Sequence, residues 1–310
     1  MAILFNNAAG NQDGWLEALS QYLPDIPLHL FPHDKPEEIK YAVIWNHPAG
    51  DLKRYPNLRA ILNLGAGTDY LELDQELPPV PVVRLVDPVV DINMAHYTLY
   101  WLMHFHRDYE QYRRKQGNKD WSRFSRPQAS EFRVSVLGLG LIGQYIAEYL
   151  AKSGFQTSGW NRSKRSIDLV KTYAGEDELR IMLAQTDVLI NCLPLKSNTR
   201  QFIGHEIFKA MPKGGYFINI SRGGVVHDQQ LIESLDSKQL NAAALDTFTV
   251  EPLPNNSPYW QHPKVYVTPH ISGATYASTS AKVIADNILR LEKGESPFPI
   301  YPQFPFQDPK

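Results

Sequence analysis

The chain has 310 residues, 43% hydrophobic and 21% charged, a globular composition with room for two domains that excludes a disordered or fibrous protein. With 31 Lys and Arg against 33 Asp and Glu the formal charge is −2, so no overall field draws the protein to nucleic acid or an anionic membrane, and small molecules are the expected partners. No apolar run reaches the roughly 20 residues of a membrane span, residues 1–10 lack the basic start of a signal peptide, and the single cysteine, Cys192, sits in an apolar run as a buried, inert thiol; a cytoplasmic setting is expected, with no metal site.

Taken in chain order, short apolar runs at residues 3–5, 41–45, 60–64 and 82–85 alternate with amphipathic stretches such as 14–23, the pattern of βαβ units around a parallel sheet. Residues 91–114 contain neither proline nor glycine and place Met94, Thr98, Trp101, Leu102 and Phe105 at helical spacing, which predicts one long helix bridging two lobes. A second α/β series starts at residues 132–137 and continues with strands at 155–160, 188–193, 216–220, 242–245 and 265–267, a six-stranded domain whose first helix ends at Gly154. Residues 274–293 read as a closing helix, and the proline-rich tail from Pro297 as a strap on the first lobe.

The first strand of the second series runs into Gly138-Leu139-Gly140-Leu141-Ile142-Gly143 and then a helix. In that context Gly138 allows the tight turn, Gly140 lets the backbone approach a pyrophosphate and Gly143 permits close helix packing, so a nicotinamide dinucleotide is expected at the helix N-terminus. An acidic residue at the end of the next strand would bind the ribose hydroxyl of NAD. The chain instead reads Asn161-Arg162-Ser163-Lys164-Arg165, with cations where a 2′-phosphate would lie. NADP(H) is therefore the preferred cofactor, NAD(H) remains open, and a merely solvated basic loop is the alternative.

Three later segments each follow a strand: Ser221-Arg222-Gly223, Glu251-Pro252 and Thr268-Pro269-His270. In an open parallel sheet such positions line the ligand crevice. Reduction of a 2-oxo acid requires a cation for carboxylate and carbonyl, a proton donor for the developing alkoxide, and an anion that stabilises the protonated donor. Arg222, His270 and Glu251 are those three types, although each taken singly could be structural. His104, His106 and His227 lack such placement and read as structural or surface residues.

These motifs, with the glycine loop, resemble the D-isomer-specific 2-hydroxyacid dehydrogenases, and among them the glyoxylate and hydroxypyruvate reductases, over nearly the whole chain. The resemblance implies that Arg222 binds substrate, His270 is the acid/base, and Glu251 holds its imidazole. It implies cofactor contacts at Leu141, Ile142, Leu193, Pro194, Thr199, Ile220, Ser221, Asp246, Gly273 and Thr98, beside Gly138, Gly140, Gly143, Asn161, Arg162, Ser163 and Lys164. On the substrate side it points to the loop Gly65-Ala66-Gly67, whose small residues suit an anion, and to Trp45 and Arg84; a core tryptophan and a surface arginine are the alternatives there.

The family's acidic residue before the aromatic and threonine of the bridge helix is missing, since the chain reads Ala95-His96-Tyr97-Thr98; any role of that acid in an interlobe or dimer contact is put in doubt. The expected architecture is α/β, a flavodoxin-like substrate domain of residues 1–93 and 275–310 with a Rossmann domain of residues 94–274, closing on a cleft and pairing as a homodimer. The expected function is NADPH-preferring reduction of glyoxylate, hydroxypyruvate or a related short 2-oxo acid to the 2-hydroxy acid. Another 2-hydroxyacid dehydrogenase, or a non-catalytic dinucleotide-sensing protein such as the co-repressors built on this fold, is the alternative.

Overall fold

A computed structural model of the chain describes residues 1–8, 12–65, 67–72 and 74–298. The chain forms two compact units, Met1–Val90 with Thr275–Lys310, and Asp91–Ala274. Both are built on parallel sheets, which bears out the expected α/β class. Among the described residues no helix is long and apolar enough to cross a membrane.

In the first unit β1 (Ala2–Asn7), β2 (Leu28–Leu30), β3 (Ile39–Trp45), β4 (Ala60–Asn63) and β5 (Val82–Val83) lie in the order β2-β1-β3-β4-β5, every pair parallel. This is the strand order of flavodoxin-like folds. Strands buried on both faces read as continuous apolar runs. Ile3, Phe5, Tyr41 and Val43 pack with Trp15 and Leu19 of the helix Gln12–Tyr22 and with Ile284 and Ile288 of the closing helix Ala277–Glu292. Their alternates Ala2, Leu4, Ala42 and Ile44 pack with Leu52, Tyr55 and Ile61.

Asp87, 3% exposed, accepts hydrogen bonds from Thr279 Oγ1 (2.6 Å) and Ser280 Oγ (2.5 Å) and so pins the start of the closing helix. That helix is shorter than the expected 274–293. β2 lies outside the expected strands, because three residues on a sheet edge give no periodic signal. The tail expected to form a strap falls, from residue 299, outside the described residues.

The second unit holds β6 (Arg133–Leu137), β7 (Gln156–Asn161), β8 (Lys171–Ala174), β9 (Val188–Asn191), β10 (Gly215–Asn219), β11 (Leu240–Leu245) and β12 (Val265–Val267) in the order β12-β11-β10-β9-β6-β7-β8. Counted from β6 this is the order of a Rossmann sheet, and it reverses between β6 and β9. The seventh strand corrects the expected six. β8 is a polar edge strand whose one buried residue is Tyr173, so the apolar run that reveals an inner strand is missing.

The predicted long helix is also corrected. Pro88–Arg107 stops, Asp108 turns left-handed (φ 54°), and a second helix runs Tyr109–Gly117. Aspartate tolerates that conformation better than most residues, and the Asp108 carboxylate is held by the Gln111 and Arg126 side chains.

Candidate active site

The glycine loop occupies the switch point of the second sheet. Gly138, buried and left-handed at φ +92°, closes β6; a Cβ there would stand 2.9 Å from the Cys192 carbonyl oxygen at the end of β9. Gly143 lies in the first turn of the helix Leu141–Lys152, and its Cβ would come 1.9 Å from the Gly138 carbonyl oxygen. Only glycine lets the helix approach the strand this closely.

Gly140 differs from both: it is exposed, caps the helix, and a Cβ there would meet nothing within 4 Å. The loop is closed where it packs and open where the helix N-terminus faces outward. Gly143→Ala is expected to lose about 1–3 kcal/mol of stability through overpacking, read as a lower midpoint in urea, whereas Gly140→Ala leaves the midpoint nearly unchanged.

At the end of β7 the Asn161 amide donates to the Ser163 carbonyl (3.3 Å) and hydroxyl (3.2 Å) oxygens. Arg162, Ser163, Lys164 and Arg165 are all exposed. Across the switch point Leu193 donates its N–H to Asn191 Oδ1 (3.0 Å), while the Ser221 hydroxyl donates to the Leu193 carbonyl. Thr199 Oγ1 donates to the Pro194 carbonyl (2.6 Å) and accepts from the Lys196 N–H (2.8 Å), bracing that loop. Burial pushes the Cys192 thiol up to about 12, which keeps it protonated and unreactive at neutral pH.

Two buried asparagines outside the expected site residues tie these strand ends together. Asn191 Nδ2 donates to Asn219 Oδ1 (2.9 Å), and Asn219 passes the link on by accepting from the Ser221 N–H (3.3 Å) and donating to the Arg222 carbonyl (3.3 Å). The faint signal is a polar residue closing each of two apolar runs. Arg222 itself is extended (φ −139°), with Nη1 donating to the Ser221 carbonyl at 2.9 Å.

A Cβ on Gly223 would fall 1.9 Å from the Phe248 carbonyl carbon, so the loop after β10 rests directly on the loop after β11. That second loop folds back on Glu251, whose Oε1 accepts from the Phe248 N–H (2.9 Å) and whose Oε2 meets His270 Nδ1 at 2.8 Å. Burial raises the Glu251 pKa, but the His270 hydrogen bond, the Phe248 N–H and the charges of His270 and Arg222 outweigh it and hold the carboxyl below its ordinary value.

His270 sits in the left-handed region (φ 53°), where a non-glycine residue persists only if its surroundings dictate it. Asp246, with no exposed surface, supplies that constraint. Its carboxylate accepts from Thr268 Oγ1 (2.6 Å), the Ile271 N–H (2.9 Å) and the Ser272 N–H (2.8 Å), while its carbonyl accepts from the His270 N–H (2.9 Å). Tyr97 Oη adds a 2.6 Å hydrogen bond to Thr268 Oγ1. The structure thus brings Arg222, Glu251 and His270 onto neighbouring loops, and it commits the Asp246 carboxylate to shaping the loop that carries His270.

Thr98 is fully buried, with its hydroxyl donating to the Met94 carbonyl within its helix (2.7 Å). Ile220 is buried, and Gly273 lies just past the Asp246-held turn. His106 is bonded to the Pro127 carbonyl (2.9 Å) and His104 packs on Trp101 and Tyr266, as expected of structural histidines.

The first unit presents its own strand-end group. Trp45 closes β3, and a Cβ on Gly65 would strike its ring at 2.2 Å, so the glycine is what lets the indole cover the loop. Asn63 Nδ2 donates to the carbonyls of Gly65 (2.6 Å) and Gly67 (2.7 Å), and Asn63 Oδ1 accepts from Tyr70 Oη (2.7 Å). Arg84 follows β5 and is half-buried; Ala66 lies outside the described residues.

The family model described as "D-isomer specific 2-hydroxyacid dehydrogenase, NAD binding domain" matches residues 99–272. A curated glyoxylate/hydroxypyruvate reductase A from Serratia proteamaculans is 34% identical over 304 residues, which is 96% of this chain and 97% of the relative. A D-isomer specific 2-hydroxyacid dehydrogenase from Xanthobacter autotrophicus Py2, solved with NADPH and MES, is 36% identical with a TM-score of 0.92 over 97% of each chain. An NADPH-dependent glyoxylate/hydroxypyruvate reductase from Sinorhizobium meliloti, solved with NADP and sulfate, is 30% identical with a TM-score of 0.91, covering 98% of this chain and 99% of that one.

Proposed function

The chain belongs to the D-isomer specific 2-hydroxyacid dehydrogenase family, and from that footing we propose that it reduces glyoxylate, hydroxypyruvate or a related short 2-oxo acid with NADPH. The observation that carries the reading is the 2.8 Å pair of His270 and Glu251 on a loop resting against the Arg222 loop. A cation, a proton donor and the donor's carboxylate partner are what such a reduction demands.

The residues at the switch point fit a dinucleotide. A helix N-terminus left open at Gly140 offers backbone N–H groups to a pyrophosphate, with Gly138, Leu141, Ile142 and Gly143 shaping the loop. Asn161, Arg162, Ser163 and Lys164 offer exposed donors and cations, without a carboxylate, to a 2′-phosphate. Leu193, Pro194, Thr199, Ile220, Ser221, Gly273 and Thr98 would line the remainder. The NADPH and NADP held by solved relatives support the same choice. When bound, the reduced nicotinamide supplies the hydride.

Arg222 binds the substrate carboxylate and polarises the adjacent carbonyl. His270, doubly protonated, gives its Nε2 proton to the carbonyl oxygen as negative charge develops there. Glu251 accepts from Nδ1 throughout and stabilises the imidazolium before transfer. Asp246 and Thr268 hold the ring's loop in place. The product leaves as the 2-hydroxy acid, and His270 regains its proton from solvent. On the substrate side Trp45, Gly65, Gly67 and Arg84 are assigned to the bound acid. The unit of residues 1–90 with 275–310 then serves as the substrate domain and that of residues 91–274 as the cofactor domain. A homodimer and a cytoplasmic setting complete the proposal; Trp121, 90% exposed beside the helix Tyr109–Gly117, suits a meeting with a second copy.

The deciding experiment measures kcat/KM for NADPH and NADH against glyoxylate, hydroxypyruvate, pyruvate and a branched 2-oxo acid. NADPH is expected to exceed NADH by about tenfold or more, since a hydrogen bond to a charged group contributes about 1.5–3 kcal/mol, and glyoxylate or hydroxypyruvate to exceed the branched acid. Equal use of both cofactors refutes the preference. No turnover with any 2-oxo acid refutes the activity.

A further inference from the structure

The first unit carries a cluster of metal-ligating side chains, far in sequence from Arg222, Glu251 and His270. His29 lies in β2, His33 in the connection that follows, and Glu38 closes the short 3-10 turn Pro36–Glu38 that leads into β3. One ligand atom from each of the three falls within 4.8 Å of the others. We propose that His29, His33 and Glu38 form a site for a divalent transition-metal ion, with Zn2+ the best match to two imidazoles and one carboxylate.

The imidazoles of His29 and His33 stack face to face, centroids 4.1 Å apart and planes 14° from parallel. Their Nε2 atoms approach the same oxygen, Glu38 Oε2, at 3.9 and 3.6 Å. Those separations are too long for hydrogen bonds, and His33 Nε2 is buried with no hydrogen-bond partner. Three donor atoms that converge without bonding one another, one of them unsatisfied, are poorly explained as a polar surface patch.

A tetrahedral zinc with bonds of about 2.0–2.2 Å holds its ligand atoms roughly 3.3 Å apart. The two imidazole–carboxylate gaps therefore need to close by only a few tenths of an ångström, with a turn of the rings that breaks their stack. Side-chain exposures of 32%, 16% and 40% for His29, His33 and Glu38 leave room for that turn and for a water in the fourth position. Lys35 Nζ takes the other carboxylate oxygen, Oε1, at 3.3 Å and leaves Oε2 to the imidazoles. Bound metal would tie the edge strand β2 to the start of β3.

The test uses the full chain and ZnCl2. Protein equilibrated with micromolar Zn2+ and passed through a desalting column is assayed for metal by mass spectrometry, and the Co2+ form is examined for the visible absorption of a tetrahedral site. The wild type is expected to retain one equivalent and to gain several degrees in Tm with Zn2+. His29→Ala with His33→Ala, and separately Glu38→Gln, are expected to reduce retained metal by about tenfold or more and to abolish the Tm gain, while 2-oxo acid reduction without added metal is unchanged. Unchanged turnover shows that the variants are folded. Equal metal in wild type and double variant overturns the site, as does a wild type that retains none.

Discussion

Arg222→Ala is expected to lower kcat/KM for glyoxylate by about 10²–10³, the size of effect seen when one donor to a developing oxyanion is removed, while dinucleotide affinity stays within about twofold. The selectivity follows from how the loop is held. Its backbone is fixed by Asn219, which donates to the Arg222 carbonyl, and by the contact of Gly223 with Phe248; neither uses the guanidinium. Truncation therefore removes the cation and its hydrogen bond to the Ser221 carbonyl and leaves those two holds on the loop. Arg222→Lys should recover only part of the rate, because an ammonium lacks the planar fork that grips a carboxylate bidentately. Steady-state kinetics with a parallel fluorescence titration of NADPH separates the two effects, and retained turnover in the alanine variant sinks the assignment.

His270→Ala is expected to lower kcat by about 10²–10⁴, the range for loss of a positioned general acid. Glu251→Gln should approach the same loss even though the imidazole remains, since an amide stabilises no imidazolium and can favour the wrong ring tautomer. The double variant should be scarcely worse than His270→Ala alone, because groups that act as a unit are not additive. Additive losses would mean that Glu251 works apart from His270.

The pair also sets a pH limit. The Glu251 carboxyl is held below its ordinary value in the folded chain, so its contribution to stability is present above the unfolded value of about 4.3 and is lost as pH falls through the folded value. An acid titration of unfolding should therefore show Glu251→Gln to be less pH-sensitive below that point than the wild type.

The parts of the fold and site that could be read from the sequence are those where one residue type answers one local demand. Gly138 and Gly143 are legible because a side chain at either would collide with backbone. Arg222, Glu251 and His270 are legible as charged or titratable residues just past apolar strands. What stayed hidden depends on partners far along the chain. Nothing local announces that Asn191 meets Asn219, 28 residues away, or that the Asp246 carboxylate is spent on the backbone of residues 271 and 272. The break at Asp108 has neither proline nor glycine to mark it, and one partner of its carboxylate, Arg126, lies 18 residues on. The edge strands β2 and β8 are too short, or too polar, to show a period.

The seat of Gly223 on Phe248 has a bearing on how this protein can be altered. Two loops that touch through bare backbone have no soft side chain between them to absorb a shift, so they move as one part or not at all. A library aimed at new substrates that randomises residues around Arg222 alone is expected to yield mostly chains in which Glu251 and His270 have been knocked out of register. Varying residues 221–224 and 247–251 together, with Asp246 and Thr268 left untouched, keeps that mechanical coupling intact while the pocket is redrawn.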